Sequence, residues 1–147
     1  MEHPPKVAYG HLYVDEDGIS HQQTCHLTEF EMEAIQPAAD PQWQGRKHHD
    51  GATVMVTVLP VGWIGAWHEN PKPQWIITLS GAWFVESMDG VRNEFGPGEI
   101  SFGEDQGCAT RGGRTGHRSG TVGDVAAVLM LVQFDHKRDK ITPCRFR

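Results

Sequence analysis

Glycine and proline set the strongest constraint on what this chain can fold into. Its 147 residues hold 17 glycines and 9 prolines, placed so that few windows are long enough for an ordinary helix. The pieces between them are rich in β-branched and aromatic residues, which favour strands. After residue 50 every piece reads as β-structure. Residues 52–59 (ATVMVTVL) stop at Pro60, and residues 62–68 (GWIGAWH) read as the next strand, followed by a turn at Asn70-Pro71-Lys72-Pro73. Residues 74–79 (QWIITL) break at Ser80-Gly81, and 82–86 (AWFVE) lead through the hairpin signal Asp89-Gly90 into 91–95. Gly96-Pro97-Gly98 introduces 99–102 (EISF), and a long polar loop from Gly103 to Gly116 precedes a strand that starts near His117. Residues 125–134 (VAAVLMLVQF) are the most continuous apolar run and are expected to form a central strand buried on both faces. Short strands with turn signals at roughly 8–12-residue intervals point to an all-β sandwich or barrel.

The part before residue 50 is less regular. Residues 7–14 and 22–27 suit strands at the edge of the barrel, and the polar loop 37–50 is placed to reach over its mouth. The one helix-like window is 29–35 (EFEMEAI), which Pro37 limits to two turns. Alternation along 74–79 supplies a further expectation. If Gln74 faces the interior, so do Ile76 and Thr78, while Trp75, Ile77 and Leu79 point outward. Such an apolar outer face needs covering, by an outer layer built from residues 7–27 or by a second subunit, so a homodimer is expected.

Composition narrows the functional classes. A formal net charge of −6 with no basic stripe argues against nucleic acid. The run His136, Lys137, Arg138, Lys140, Arg145 and Arg147 is mixed with Asp135 and Asp139, and reads as a solvated tail. Three widely separated cysteines, Cys25, Cys108 and Cys144, speak against a disulfide framework and a thiolate zinc site. The start of the sequence lacks a basic-then-apolar leader, and no apolar stretch approaches the roughly 20 residues of a membrane helix. The expectation is a cytoplasmic, reducing setting with no membrane partner.

The chemistry gathers at a few strand ends. Of nine histidines, His3, His11, His21, His26 and His136 sit in polar or terminal contexts and read as surface residues. His48 and His49, beside Asp50, point to opposite faces of an extended chain, so at most one serves a common metal. His68 is different, because it ends an apolar segment. Asn70 shares its face if the chain stays extended, Gln74 opens the next strand, and His117 begins a much later one between Gly116 and Arg118.

The stretch from Gly62 to His117 resembles the two-part signature of the cupin family. The first part has two nearby histidines, then a carboxylate, then a glycine; here it reads His68-Glu69-Asn70-Pro71-Lys72-Pro73-Gln74 and then Gly81. The second part has a Gly-rich turn, a strand and a third histidine; here it reads Phe95-Gly96-Pro97-Gly98-Glu99, then residues 100–104, then Gly116-His117-Arg118. The resemblance covers about residues 50–134. It is closest to small stand-alone cupins whose first motif runs Trp-His with prolines and a Gln, as Trp67 to Gln74 do. It implies one domain over 1–147, an all-β double-stranded β-helix (jelly-roll) barrel with extra N-terminal strands at 1–49 and a tail at 135–147.

The departures from the pattern bear on function. Asn70 stands where the family has its second histidine and Gln74 where it has the carboxylate, so two neutral amides replace an imidazole and an anion. The loop 106–115 (QGCATRGGRT) is longer than the motif requires and carries Arg111 and Arg114, with Arg118 just beyond. It reads as a solvated loop, with a lid that recruits an anion as the alternative. Cys108 reads as a small loop residue, and the neighbouring pair Glu104-Asp105 offers a substitute carboxylate near the mouth. Trp63, Trp67 and Trp83 are expected mostly in core, with one of them available to line an aromatic pocket.

Three functions follow as expectations. The leading one is a small-molecule enzyme with a divalent metal (Fe, Mn, Ni or Zn) on His68, Gln74 and His117. The resemblance implies dioxygenase, isomerase or lyase chemistry on a small polar or aromatic acid, with Asn70, Trp67, Arg111, Arg114 and Arg118 binding substrate. The second is a metal-free enzyme in which His68 and His117 act as acid and base. The third is a non-catalytic pocket for a small ligand.

Overall fold

The computed structural model describes residues 3–34, 37–47, 49–135 and 142–147, with the backbone alone at Gln42. His48, His136 and most of the basic C-terminal run lie outside these residues. The described chain is all-β: β1 (Val7–Val14), β2 (Ser20–Leu27), β3 (Glu31–Glu33), β4 (Gln42–Gln44), β5 (Ala52–Leu59), β6 (Gln74–Ser80), β7 (Ala82–Ser87), β8 (Arg92–Phe95), β9 (Ile100–Glu104), β10 (His117–Val122) and β11 (Ala127–Phe134). No helix among these residues is long and apolar enough to cross a membrane.

Two sheets carry the fold. A six-stranded sheet has the order β2-β1-β9-β6-β11-β5, and a three-stranded sheet has the order β10-β7-β8. All neighbours pair antiparallel except β1 and β9, which run parallel. The sheets face each other across a core of Leu12, Ile76, Leu129 and Leu131 from the larger sheet and Trp83, Val85 and Phe95 from the smaller. Among the described residues ladder hydrogen bonding does not close the two sheets into one barrel. The strand expected at 62–68 is irregular instead, joined to β10 only by the single bridges Ile64↔Gly120 and His68↔His117. Gly62, with φ of 76°, breaks its extended path at the start.

Alternation along β6 follows the sequence expectation. Gln74, Ile76 and Thr78 are buried, while Trp75, Ile77 and Leu79 are turned to the other face. The cover over that outer face differs from expectation. β1 and β2 do not form an outer layer but extend the larger sheet in its own plane. The C-terminal residues 142–147 provide the cover: Phe146 and Cys144 pack on a second cluster of Tyr9, Cys25, Phe102 and Phe134, with Trp75 beside it. His49, near the end of the loop 37–50, joins this layer, stacked on Phe134 with ring centroids 3.9 Å apart. β11 is buried on one face only, since Val128, Met130 and Val132 remain partly exposed.

Other expectations change as well. Ile35 lies outside the described residues; over 29–34 the expected helix is replaced by β3, which pairs with β4 through Glu31↔Gln44, Met32↔Trp43 and Glu33↔Gln42. An isolated segment of two turns falls short of the roughly 12 residues that let a helix persist alone, and a cross-strand ladder wins. Trp83 is core, but Trp63 is 37% exposed because its segment leaves the sheet.

The cysteine reading also needs correction, because Cys25 and Cys144 form a disulfide across 119 residues of sequence. Their spacing carries no hint of this pairing; the fold brings β2 and the C-terminal segment to a Cα–Cα distance of 5.2 Å. The inference of a reducing setting loses its ground with it. His11 is likewise not a surface residue but fully buried. It receives the Cys144 N–H on Nδ1 at 3.0 Å and faces Glu104 through Nε2 at 2.8 Å. Arg145 completes the clamp with two bonds to the Glu104 carboxylate at 2.9 and 3.0 Å.

A crosslink over so long a loop removes much chain entropy from the unfolded state. Cys144→Ser is therefore expected to lower unfolding free energy by about 3–5 kcal/mol in denaturant titrations, and reductant is expected to do the same to the parent protein but not to the variant.

Candidate functional site

His68 and His117 are held together by their own backbones. Each donates its N–H to the other's carbonyl, both at 2.9 Å, and their ring centroids lie 4.7 Å apart. Gly116 permits this approach. Its φ is +77°, and a side-chain carbon there would sit 2.3 Å from the His68 carbonyl oxygen. The two rings differ in setting, since His68 is exposed at the rim and His117 is 6% exposed.

Beneath them lies a carboxylate that decides how every neighbour is oriented. Asp105 is fully buried. One of its oxygens accepts from the Asn70 backbone N–H and side-chain amide, each at 2.8 Å, and the other faces His117 Nδ1 at 2.7 Å. An ionised carboxylate only accepts, so Asn70 must present its NH₂ and His117 must carry a proton on Nδ1. The Asn70 oxygen then receives the Gln74 amide at 2.5 Å, and the Gln74 oxygen receives Gln133 at 2.7 Å. The result is a directional chain, Gln133 to Gln74 to Asn70 to Asp105, with His117 at its end. The His68 ring is fixed by the same logic, because its Nδ1 lies 2.7 Å from the Ala66 carbonyl oxygen and must donate there. In their neutral forms both imidazoles are left with Nε2 as the free, proton-accepting nitrogen.

Glu104 and Asp105 divide between the two faces because successive side chains on a strand point oppositely. Asp105 turns inward to the histidines, and Glu104 turns outward to His11 and Arg145. Of the substitute carboxylates anticipated near the mouth, Asp105 is the one at the site. Burial pushes the Asp105 carboxyl up, but hydrogen bonds from His117, the charge of that ring and bonds from Asn70 hold it below the usual range. Burial likewise raises Glu104, and His11 and Arg145 outweigh it.

The loop before His117 is ordered by specific bonds. Glu69 accepts from the backbone N–H groups of Gly107 and Cys108 at 3.3 and 2.9 Å. Arg111 and Arg114 exchange backbone bonds at 3.0 Å across Gly112-Gly113, both at positive φ, which makes the tip a two-residue hairpin. Arg114 stands over the Trp67 ring at 5.1 Å and Arg118 at 5.9 Å, while Arg118 also pairs with Glu86 at 2.8 Å. Trp67 and Arg114 thus form a cationic, aromatic rim beside the exposed His68, whereas Arg111 is exposed at the hairpin tip. Burial, with the nearby Asp105 charge, pushes the Cys108 thiol up to about 12, which disfavours the thiolate at neutral pH.

The donor set expected for a divalent metal does not fit this arrangement. The Gln74 oxygen already accepts from Gln133 and the Asn70 oxygen from Gln74, and neither amide oxygen brings a charge to balance a cation. Among the described residues no three His, Cys, Asp or Glu side chains group in a way that could hold a metal ion. Two imidazole nitrogens remain, one short of the three protein ligands usual in catalytic zinc sites.

Comparison with known proteins assigns no family. No protein-family model matches the chain, and no curated protein matches it. Among solved structures, the crystal structure of protein NMB1881 from Neisseria meningitidis is similar at 17% identity and a TM-score of 0.43, over 70% of this chain and 86% of that one. The likeness is too distant to assign a family or an activity.

Because Asp105 and Glu104 titrate lower in the folded protein than unfolded, their stabilisation is present above the unfolded values near 4 and is lost as pH falls through the folded values. Urea midpoints are expected to drop below about pH 4. Asp105→Asn is expected to weaken that acid dependence and to lower stability at neutral pH by about 2–4 kcal/mol.

Proposed function

We propose that the chain is a small-molecule enzyme that moves a proton with His117, and that it uses no metal to do so. The observation that carries this reading is the buried Asp105–His117 pair at 2.7 Å. A carboxylate on Nδ1 fixes the tautomer, leaves the Nε2 lone pair as the base and stabilises the imidazolium that forms when it takes a proton. Asp105 acts as a positioning residue, and Asn70, Gln74 and Gln133 act through it. His68, exposed and backbone-paired with His117, serves as the second acid/base group in exchange with solvent.

The rim supports a substrate class. Arg114 beside Trp67 offers a cation and a ring face to a small acid, preferably one with an aromatic or otherwise planar body. Abstraction of a proton next to a carbonyl or carboxylate, as in an isomerase or lyase, needs only the groups described. The cupin resemblance of residues 62–117 and the two facing sheets support a jelly-roll reading of the fold. In that reading the family's missing carboxylate at Gln74 is replaced by Asp105, which anchors a base instead of neutralising an ion.

The test is solvent exchange. A panel of small carboxylic and keto acids is incubated with the protein in D₂O, and loss of carbon-bound protons is followed by NMR. Catalysed exchange that survives chelation and falls at least about a hundredfold in His117→Ala is expected. Exchange abolished by chelator, or ligand binding with no exchange by any panel member, contradicts the proposal.

A further inference from the structure

The larger sheet has two unlike edges. At one end β2 (SHQQTCHL) is mostly polar. At the other, β5 (ATVMVTVL) carries no charge, no proline and no glycine, and among the described residues it pairs only with β11. It therefore lacks the devices by which edge strands usually avoid pairing.

The backbone phase of β5 can be read from its surroundings. Phe134 N–H turns away from β5, to the Pro73 carbonyl at 3.2 Å, while Asp135 N–H turns toward the chain before β5 and is shared between the Asp50 and Gly51 carbonyls at 3.2 and 3.3 Å. Bonding alternates from pair to pair along an antiparallel ladder. The register runs unbroken from Ala127↔Leu59 to Phe134↔Ala52. Thr53, Met55 and Thr57 thus direct their N–H and C=O groups at β11, and Ala52, Val54, Val56 and Val58 direct theirs at the open edge. The side chains of those three valines are 60%, 59% and 56% exposed. Exposure continues past the end of the strand, with Val61 and Ile64 at 58% and 62%.

We infer that β5 is a dimer interface whose occupant is β5 of a second copy, paired antiparallel about a two-fold axis at Val56. Symmetry argues for a second copy. About that axis Val56 faces its own counterpart and Val54 faces Val58, so each open donor meets an acceptor and the valines merge into one apolar stripe. The contact uses the same patch on both copies and closes at two. An acidic or basic partner strand would find no countercharge on β5.

The experiment combines sedimentation equilibrium of the full chain with amide exchange by NMR. The parent protein is expected near twice 16.4 kDa, with the Val54, Val56 and Val58 amides exchanging at least about tenfold more slowly than after dilution to monomer. Val56→Lys and Val56→Pro, the latter removing an N–H that β11 does not use, are expected to sediment as monomers. A parent protein that is monomeric with these amides freely exchanging overturns the inference, as does a dimer that leaves them freely exchanging. The exchange data on the parent protein decide the matter even if a variant fails to fold.

Discussion

One buried charge organises this molecule. Asp105 has no contact with solvent, and an unpaired carboxylate in that position would be strongly unfavourable. Three hydrogen bonds offset that penalty, two from Asn70 and one from His117. Because the carboxylate can only accept, its presence dictates the orientation of each partner, and through them of Gln74 and Gln133. The backbone bridge between His68 and His117 lies beside it, since His117 both pairs with His68 and faces the carboxylate. A change at residue 105 is thus felt as far away as β11.

This organisation explains two residues that looked like losses. Asn70 and Gln74 stand where a metal-binding cupin motif would have an imidazole and a carboxylate. A carboxylate at 74 would set a second negative charge near Asp105, separated only by Asn70, and would take from the Asn70 oxygen the donor that Gln74 supplies. Two amides are the side chains that pass a hydrogen-bond direction from Gln133 to Asp105 without adding charge. On the proposed reading, the two amides serve a histidine base held by Asp105.

Much of the fold was legible because glycine and proline cut the chain at the right places, and period-two alternation placed Gln74, Ile76 and Thr78 inside. The location of His68 and His117 was legible from their positions at segment ends. Asp105 was only half legible. Glu104 and Asp105 have the same chemistry in sequence, and only the phase of β9 separates the one facing His117 from the one facing Arg145. The disulfide was not legible, because pairing across 119 residues is set by tertiary contact and not by spacing. The burial of His11 was hidden for the same reason, since its partners lie 93 and 133 residues away in sequence. The helix-like window at 29–35 misled because propensity in so short a segment yields to any available strand partner.

The most direct measurement is the histidine tautomer, read from imidazole nitrogen shifts of labelled protein above neutral pH. If Asp105 sets the site, neutral His117 carries its proton on Nδ1 with Nε2 free, and Asp105→Asn redistributes that proton. A His117 that is protonated on Nε2 in the parent protein, or that keeps its tautomer unchanged when the carboxylate is removed, would contradict the account.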